Sequence, residues 1–183
     1  MITDTFTYKT EQKAKTRFHA SDYGKPILDL YLKFKGTPET NPVTWNQELR
    51  FGAGRGVETS ALNILKQNGI VPQEYNQETD GGFKMEREGV EISGYRDAIH
   101  VNGCPIEIKS INTKNSYDVI KYKNNNPREN YVGQLAIYMD YMERDIGYLF
   151  VISMDGLDTF WMECRKIGDR IYQCGNVVVD LNK

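Results

Sequence analysis

Three charged residues that could carry out catalysis lie in a strand-like segment of the chain, residues 94–110. Asp97, Glu107 and Lys109 interrupt two apolar runs that flank an Asn-Gly pair, a dipeptide typical of β-hairpin turns. Glu107 and Lys109 are two residues apart, so their side chains point to the same face of a strand. Two carboxylates on one face can bind a hard divalent cation, and the carbonyl of Ile108 is a further candidate ligand. Lys109 could orient an attacking water or stabilise charge on a phosphate.

The geometry of the turn decides whether Asp97 joins that face. A two-residue turn at the Asn-Gly pair would place Asp97 on the opposite face. A three-residue loop, Val101–Gly103, pairs His100 with Cys104 and places Asp97 directly opposite Glu107. Such a loop favours a glycine in the left-handed conformation, which this segment supplies, and we therefore predict it. The three charges are also typical of a solvated sheet face with cross-strand ion pairs, and the residues alone leave both interpretations open.

The pattern Asp-spacer-Glu-x-Lys on a hairpin resembles the signature of the PD-(D/E)XK nuclease superfamily. Three further segments resemble its RecB-like exonuclease branch, which includes CRISPR-associated and phage recombination exonucleases. The first is Gly54–Glu58, which resembles the start of a helix that faces the metal site in this branch. Val57 stands where many members have a metal-binding histidine, so the resemblance implies that Glu58 contributes, directly or through water. A glutamate in the first turn of a helix is also favoured by the helix dipole alone.

The second segment, Gln134–Tyr138, resembles the Gln-x-x-x-Tyr motif of the same branch. Gln134 and Tyr138 are four residues apart and share one face of a predicted helix, with Tyr131 nearby. That face lies opposite an apolar stripe. A glutamine with tyrosines suits hydrogen bonding and stacking on a nucleic-acid strand, so these three residues are predicted to bind DNA. An amphipathic helix with tyrosines at its rim explains the same pattern.

The third segment, Phe18–Pro26, resembles the Ser-x-x-Gly-x-Cys-Pro element of iron–sulfur members of the branch. Lys25 stands in the place of that cysteine, and the three cysteines of the chain do not form the C-terminal cluster of these members. Because an iron–sulfur cluster needs four suitable ligands, we expect none. Ser21 is expected either to contact DNA or to cap a helix that runs from Asp22 to about Lys35.

Basic residues are concentrated between the strand that carries Lys109 and the helix that carries Gln134. The basic residues predicted to contact DNA in this segment are Lys114, Lys121, Lys123 and Arg128. A local basic loop can contact phosphates even when the chain as a whole is slightly acidic. A flexible surface loop is the plainer alternative.

These residues need a scaffold of strands and helices to position them. Apolar patterning predicts helices over 55–67 and 129–144, and strands over 83–88, 91–100, 105–111, 147–153, 159–165 and 176–181. This order is typical of an α/β fold in which helices flank a mixed sheet. The resemblance implies a restriction-endonuclease-like core. The length of 183 residues favours a single domain over residues 1–183.

Composition excludes several classes of protein. Hydrophobic residues make up 39% and charged residues 26% of the chain, which is ordinary globular usage. There is no run of apolar residues long enough for a membrane span, so we expect no membrane association. Three widely spaced cysteines argue against a disulfide framework and favour a reducing cytoplasm. The net charge of −2 lacks the basic excess usual in nucleic-acid binders, although it includes acids that a cation would neutralise.

The resemblance implies a metal-dependent DNA nuclease. Mg²⁺ or Mn²⁺ would lie between Asp97, Glu107 and the Ile108 carbonyl, with Glu58 close by and Lys109 positioning water. We expect an exonuclease that acts on single strands or duplex ends in recombination, repair or phage DNA processing. A structure-specific or restriction-type endonuclease and a non-catalytic DNA-binding module are the alternatives. A recombination, helicase or annealing protein is the expected partner, in the cytoplasm of a bacterium or a phage-infected cell.

Overall fold

The computed structural model describes residues 14–38, 43–111, 117–155 and 158–183, with the backbone alone at 117 and 118. Its α-helices are α1 (Ile27–Phe34), α2 (Trp45–Gln67), α3 (Gln77–Asp80), α4 (Tyr117–Lys123) and α5 (Glu129–Tyr141). Within these ranges there is no helix whose length and apolar character would let it cross a membrane.

A small three-stranded sheet precedes the main one along the chain. Its strands are β1 (Phe18–His19), β2 (Gly82–Arg87) and β3 (Val90–Tyr95). β3 lies in the middle, antiparallel to β2 and parallel to β1. The strand of two residues at the edge, β1, was not predicted, because so short a segment has no readable alternation.

A larger sheet forms the rest of the fold. Its strands, in spatial order, are β4 (Ala98–Ile99), β5 (Pro105–Ile111), β6 (Ile146–Ser153), β7 (Thr159–Gly168), β8 (Ile171–Cys174) and β9 (Val177–Asp180). β5 and β6 are parallel, and α4 and α5 form the crossover between them. The remaining neighbours are antiparallel. The predicted α/β fold, with a mixed sheet flanked by helices, is confirmed.

Helix α5 lies in the centre of the core, with apolar contacts on two sides. One side packs on the larger sheet through Leu135 and Met139, in a cluster that includes Ile111 of β5. The other side packs through Ile137 against the three-stranded sheet. Helix α2 packs on the opposite face of the larger sheet, in a cluster with Ile106 and Ile108 of β5. Odd-numbered residues of β5 therefore face α5, and even-numbered residues face α2.

Helix α2 is longer than the sequence pattern predicts. It begins at Trp45 instead of Arg55, because the Thr44 side chain accepts a hydrogen bond from the Gln47 N–H and caps the helix there. Glu58 consequently lies in the interior of the helix and not in its first turn. The alternative explanation of Glu58 as a residue favoured by the helix dipole is therefore wrong.

The predicted helix cap at Ser21 is also wrong. Ser21 lies inside a 3₁₀ turn, Ala20–Asp22, and α1 begins only after Pro26. The carboxylate of Asp22, and not the Ser21 hydroxyl, accepts the hydrogen bond from the His19 N–H, at 2.8 Å. Ser21 is exposed, so its contact with DNA stays a prediction.

Candidate active site

The hairpin between β4 and β5 has the predicted three-residue loop. Ala98 pairs with Ile106, and the His100 N–H donates to the Cys104 carbonyl at 2.8 Å. Gly103 has φ +83°, which supplies the left-handed residue that this loop requires. Continuing the register one step places Asp97 opposite Glu107. The prediction that the two carboxylates share one side of the hairpin is confirmed.

The carboxylate of Asp97 is fixed by a hydrogen bond to each oxygen. Its Oδ2 accepts from the Ile108 N–H at 2.8 Å, and its Oδ1 accepts from Nε2 of Gln77 at 2.9 Å. Gln77 begins the short helix α3, which Arg96 ties to the sheet through the carbonyl oxygens of Asp80, Gly81 and Gly82. Sequence reasoning missed Gln77, and no motif marks it, because only the tertiary fold brings it to Asp97.

Glu107 and Lys109 form a buried ion pair beside Asp97. Glu107 is fully buried, and its Oε1 contacts the Lys109 ammonium. Its Oε2 accepts no hydrogen bond from the part of the chain that the structure describes. Nζ of Lys109 also lies 3.6 Å from Oδ2 of Asp97. The ammonium thus lies next to both carboxylates and neutralises part of their charge.

Burial and neighbouring charge set the protonation of this pair. Burial raises the pKa of the Glu107 carboxyl well above its usual range, and the charge of Asp97 raises it further, against the opposing effect of Lys109. Burial acts to lower the pKa of Lys109, but the carboxylates of Glu107 and Asp97 outweigh it, so that pKa is raised. Lys109 is therefore an ammonium at neutral pH and donates hydrogen bonds without acting as a base.

Glu58 approaches β5 from the opposite face of the sheet. Its Oε1 accepts from the Ser110 N–H at 3.0 Å and from the Ser110 hydroxyl at 3.1 Å. Because β4 pairs only with the start of β5, the N–H groups of Ile108 and Ser110 point to an edge that strand pairing leaves open. Asp97 and Glu58 bind these two groups and lie side by side along that edge.

Gly54 allows α2 to come this close to β5. A Cβ at this position would lie 2.7 Å from the Ser110 hydroxyl oxygen, which is closer than real contacts permit. The missing side chain lets Glu58, one helical turn further along α2, reach the strand edge. Ser110 is the second site residue that sequence reasoning missed. Ser110 lies two residues after Ile108, so its N–H points to the same edge of β5, and this spacing could have identified it from the sequence.

Oxygen ligands for a divalent cation are present at the edge of β5. Asp97 and Glu107 supply carboxylates, and the Ile108 carbonyl points to the same edge as its N–H. Within the described ranges, no three His, Cys, Asp or Glu side chains are grouped so that they could hold one ion. Mg²⁺ is usually held by one or two carboxylates with waters completing its shell, so two acids suffice. The buried Glu107 oxygen without a hydrogen bond fits such a ligand, whereas Glu58 is engaged with Ser110.

Gln134 and Tyr138 face the interior of the protein. Gln134 Nε2 donates to the Tyr138 hydroxyl at 2.7 Å, and that hydroxyl donates to the Tyr95 carbonyl at 2.9 Å. Tyr138 is only 1% exposed, so the prediction that it stacks on DNA is wrong for this conformation. The reason is that the face predicted to be solvated packs on the three-stranded sheet. Gln134 is also buried, and its contact with DNA stays a prediction.

Tyr131 and Arg128 border the site. The Lys109 ammonium lies 5.9 Å from the centre of the Tyr131 ring, and the Arg128 guanidinium lies 5.6 Å from it. Lys123 is exposed and forms an ion pair with Asp158 at 2.9 Å. Lys121 lies on α4, and Lys114 lies outside the described residues. Contact of these residues with DNA stays a prediction.

Comparisons with known proteins give a fold and no family. No family model matches the chain, and no curated protein matches it significantly. The crystal structure of SSO0001 covers 86% of this chain and 71% of its own, with 19% identity and a TM-score of 0.52. An alkaline exonuclease (LHK-Exo) from Laribacter hongkongensis covers 80% of this chain and 76% of its own, with 17% identity and a TM-score of 0.48. The first likeness concerns the fold alone, and the second is too low to carry an argument.

Proposed function

We propose that the chain is a metal-dependent deoxyribonuclease that hydrolyses phosphodiester bonds. The observation that carries this proposal is the arrangement of Asp97 and Glu107 across the hairpin, with the Lys109 ammonium next to both carboxylates. A solvated face with exchangeable ion pairs would not bury one carboxylate completely and leave one of its oxygens without a hydrogen bond. Such a buried, perturbed acid beside a partly open edge is typical of a functional site.

Asp97, Glu107 and the Ile108 carbonyl would hold Mg²⁺ or Mn²⁺. When bound, such an ion supplies a Lewis acid that activates water and stabilises negative charge on a phosphate. Asp97 is held in place for this role by Gln77 and by the Ile108 N–H. Lys109 keeps its proton, so it donates a hydrogen bond to the attacking water or to a phosphate oxygen. Glu58 fixes the edge of β5 through Ser110 and lies close to the site.

We propose further that the enzyme is an exonuclease, on the resemblance of its ordered motifs to the RecB-like branch. The test is a comparison of linear duplex DNA with a covalently closed circle, each incubated with Mg²⁺ or Mn²⁺ and with EDTA. An exonuclease releases nucleotides from the linear DNA and leaves the circle intact. Nicking or linearisation of the circle would instead establish an endonuclease. An absence of cleavage of both substrates and of a linear single strand would instead favour a non-catalytic module.

Substitution of Lys109 tests the assignment of the site. Lys109→Ala should lower the rate of cleavage by about 100-fold or more, as expected for loss of a positioned hydrogen-bond donor to the reacting groups. Lys166→Ala, which removes an exposed lysine from β7, serves as the matched control and should leave the rate unchanged. Normal cleavage by a folded Lys109→Ala protein would refute the mechanism. DNA as substrate, a recombination, helicase or annealing partner and a cytoplasmic location stay proposals.

A further inference from the structure

The outer face of the three-stranded sheet forms an open groove beside the candidate active site. The groove has a volume of about 730 Å³, within the range of about 300–1,000 Å³ usual for ligand sites. Its floor is the sheet face that carries His19, Lys84 and Ser93, and Tyr141 at the end of α5 borders it. The residues that give it chemical character are Arg17, His19, Lys84, Ser93, Tyr95 and Tyr141.

Strand register explains why these side chains share one face. Ser93 pairs with Lys84 of β2 and with His19 of β1, so the three side chains project together. Tyr95 and Ser93 are two residues apart and point the same way. The opposite face carries Phe83 and Ile92, which pack toward α5. The chain thus places its apolar residues inward and leaves a polar, aromatic surface outside.

Tyr95 is placed as a stacking platform. It pairs across the strands with Gly82, and a Cβ on that glycine would lie 3.3 Å from the Tyr95 ring. The absence of a side chain at Gly82 lets one face of the ring lie over the backbone. Tyr95 is nevertheless 61% exposed, so the ring is open to a ligand. An exposed aromatic ring of this kind stacks on an unpaired base, because the bases of a duplex are already stacked on each other.

The charge of the groove suits a polyanion. Among the described residues that line the groove are the cations Arg17 and Lys84 and no Asp or Glu, and the acids of the same sheet face, Glu86 and Glu91, lie beyond the lining. Lys84 is exposed on the sheet face. Arg17 pairs with Glu91 at 3.1 Å, an exposed ion pair that a phosphate can replace at little cost. Burial lowers the pKa of His19, so the histidine adds hydrogen-bonding capacity at neutral pH and no charge.

Tyr95 links the groove to the catalytic hairpin along the chain. Tyr95 precedes Asp97 by two residues, and its carbonyl accepts the hydrogen bond from the Tyr138 hydroxyl at 2.9 Å. We propose that this groove binds single-stranded nucleic acid next to the cleavage site, with a base stacked on Tyr95 and phosphates on Lys84 and Arg17. Sheet faces that combine aromatic rings with cations bind single strands in this way in other folds. The inference rests on the proposed nuclease function and names the form of its substrate.

The test measures the binding of single-stranded DNA under conditions that prevent cleavage. Fluorescence anisotropy is measured with a labelled oligothymidylate of about 12 nucleotides, a length within the usual site size, in EDTA. Tyr95→Ala should weaken binding by about 5- to 100-fold, and Tyr95→Phe should restore it, because the phenylalanine ring still stacks. Lys84→Ala should reduce the slope of log affinity against log salt by about 0.7.

Matched controls separate the groove from the rest of the surface. Trp161→Ala removes an aromatic ring that is 41% exposed on β7, and Arg165→Ala breaks the ion pair with Glu163 on the same strand. Both should leave binding unchanged. Equal weakening by controls and groove variants, absence of oligothymidylate binding, or tighter binding of a matched duplex would each overturn the proposal. Thermal melting confirms that each variant is folded, and the cleavage assay on linear DNA tests the nuclease function separately.

Discussion

The contact between α2 and β5 at Gly54 allows a quantitative test of how Glu58 is positioned. An alanine Cβ at position 54 would lie 2.7 Å from the Ser110 hydroxyl oxygen. The hydroxyl can rotate away, but it then loses its hydrogen bond to Glu58. Gly56 lies in the same helix, and an added Cβ there meets nothing within 4 Å among the described residues. Gly56→Ala is therefore the matched control.

The two substitutions should have opposite effects on stability. Alanine is favoured over glycine in a helix interior by about 1 kcal/mol, so Gly56→Ala should stabilise the protein by about that amount. Gly54→Ala has the same gain, but loss of a hydrogen bond to a charged group costs about 1.5–3 kcal/mol. Its net effect is a destabilisation of about 0.5–2 kcal/mol. The difference between the two variants corresponds to about 2–4 °C in melting temperature for each kcal/mol.

Urea denaturation of both variants measures this difference, and the Ser110→Ala background isolates its cause. Without the hydroxyl, Gly54→Ala should stabilise the protein about as much as Gly56→Ala, because the nearest remaining atoms lie at ordinary contact distances of 3.7 and 3.8 Å. If Gly54→Ala already stabilises the protein that retains Ser110, α2 does not contact β5 as described. The placement of Glu58 at the strand edge would then be wrong.

Three further predictions concern the hairpin. Gln77→Ala should lower the rate of DNA cleavage by about 10-fold or more, because the Asp97 carboxylate loses a hydrogen bond. The melting temperature should change little. An unchanged rate would show that Gln77 is not required to position Asp97. Gly103→Ala should cost about 1–2 kcal/mol in urea denaturation, because its φ of +83° disfavours a side chain; a neutral effect would contradict the three-residue loop. The folded-state pKa of Glu107 is raised, so metal-free wild-type protein should lose stability relative to Glu107→Gln as pH rises from about 4.3 through that pKa. Urea denaturation in EDTA at several pH values measures the free energy of unfolding of both proteins. A difference between the two free energies that does not change with pH would contradict the prediction.

The hairpin could be predicted from the sequence because its determinants are local. One glycine in a left-handed position fixes the loop length, and strict alternation along a strand then fixes which residues face each other. The relation between Asp97 and Glu107 follows from these two rules. The α/β fold follows in the same way from apolar patterns that are long enough to read.

The surroundings of the hairpin depend on contacts between distant segments. Tyr138 was expected at a solvated face because α5 has an obvious apolar stripe on one side only. Its other side packs on a sheet whose edge strand has two residues, too few to recognise. Gln77 reaches Asp97 and Glu58 reaches Ser110 from helices that no short-range pattern connects to β5.

The most direct test of the central claim is the rate of nucleotide release from linear duplex DNA by an Asp97→Asn protein in Mg²⁺ or Mn²⁺. Asparagine keeps the size of the side chain and one oxygen that can accept from the Ile108 N–H, and its NH₂ group can donate to the amide oxygen of a rotated Gln77, but it removes the negative charge that a cation needs. We predict that release falls to the level measured in EDTA while the melting temperature is unchanged within a few degrees. Release at the rate of the unsubstituted protein would contradict the assignment of this hairpin as a metal-dependent nuclease site.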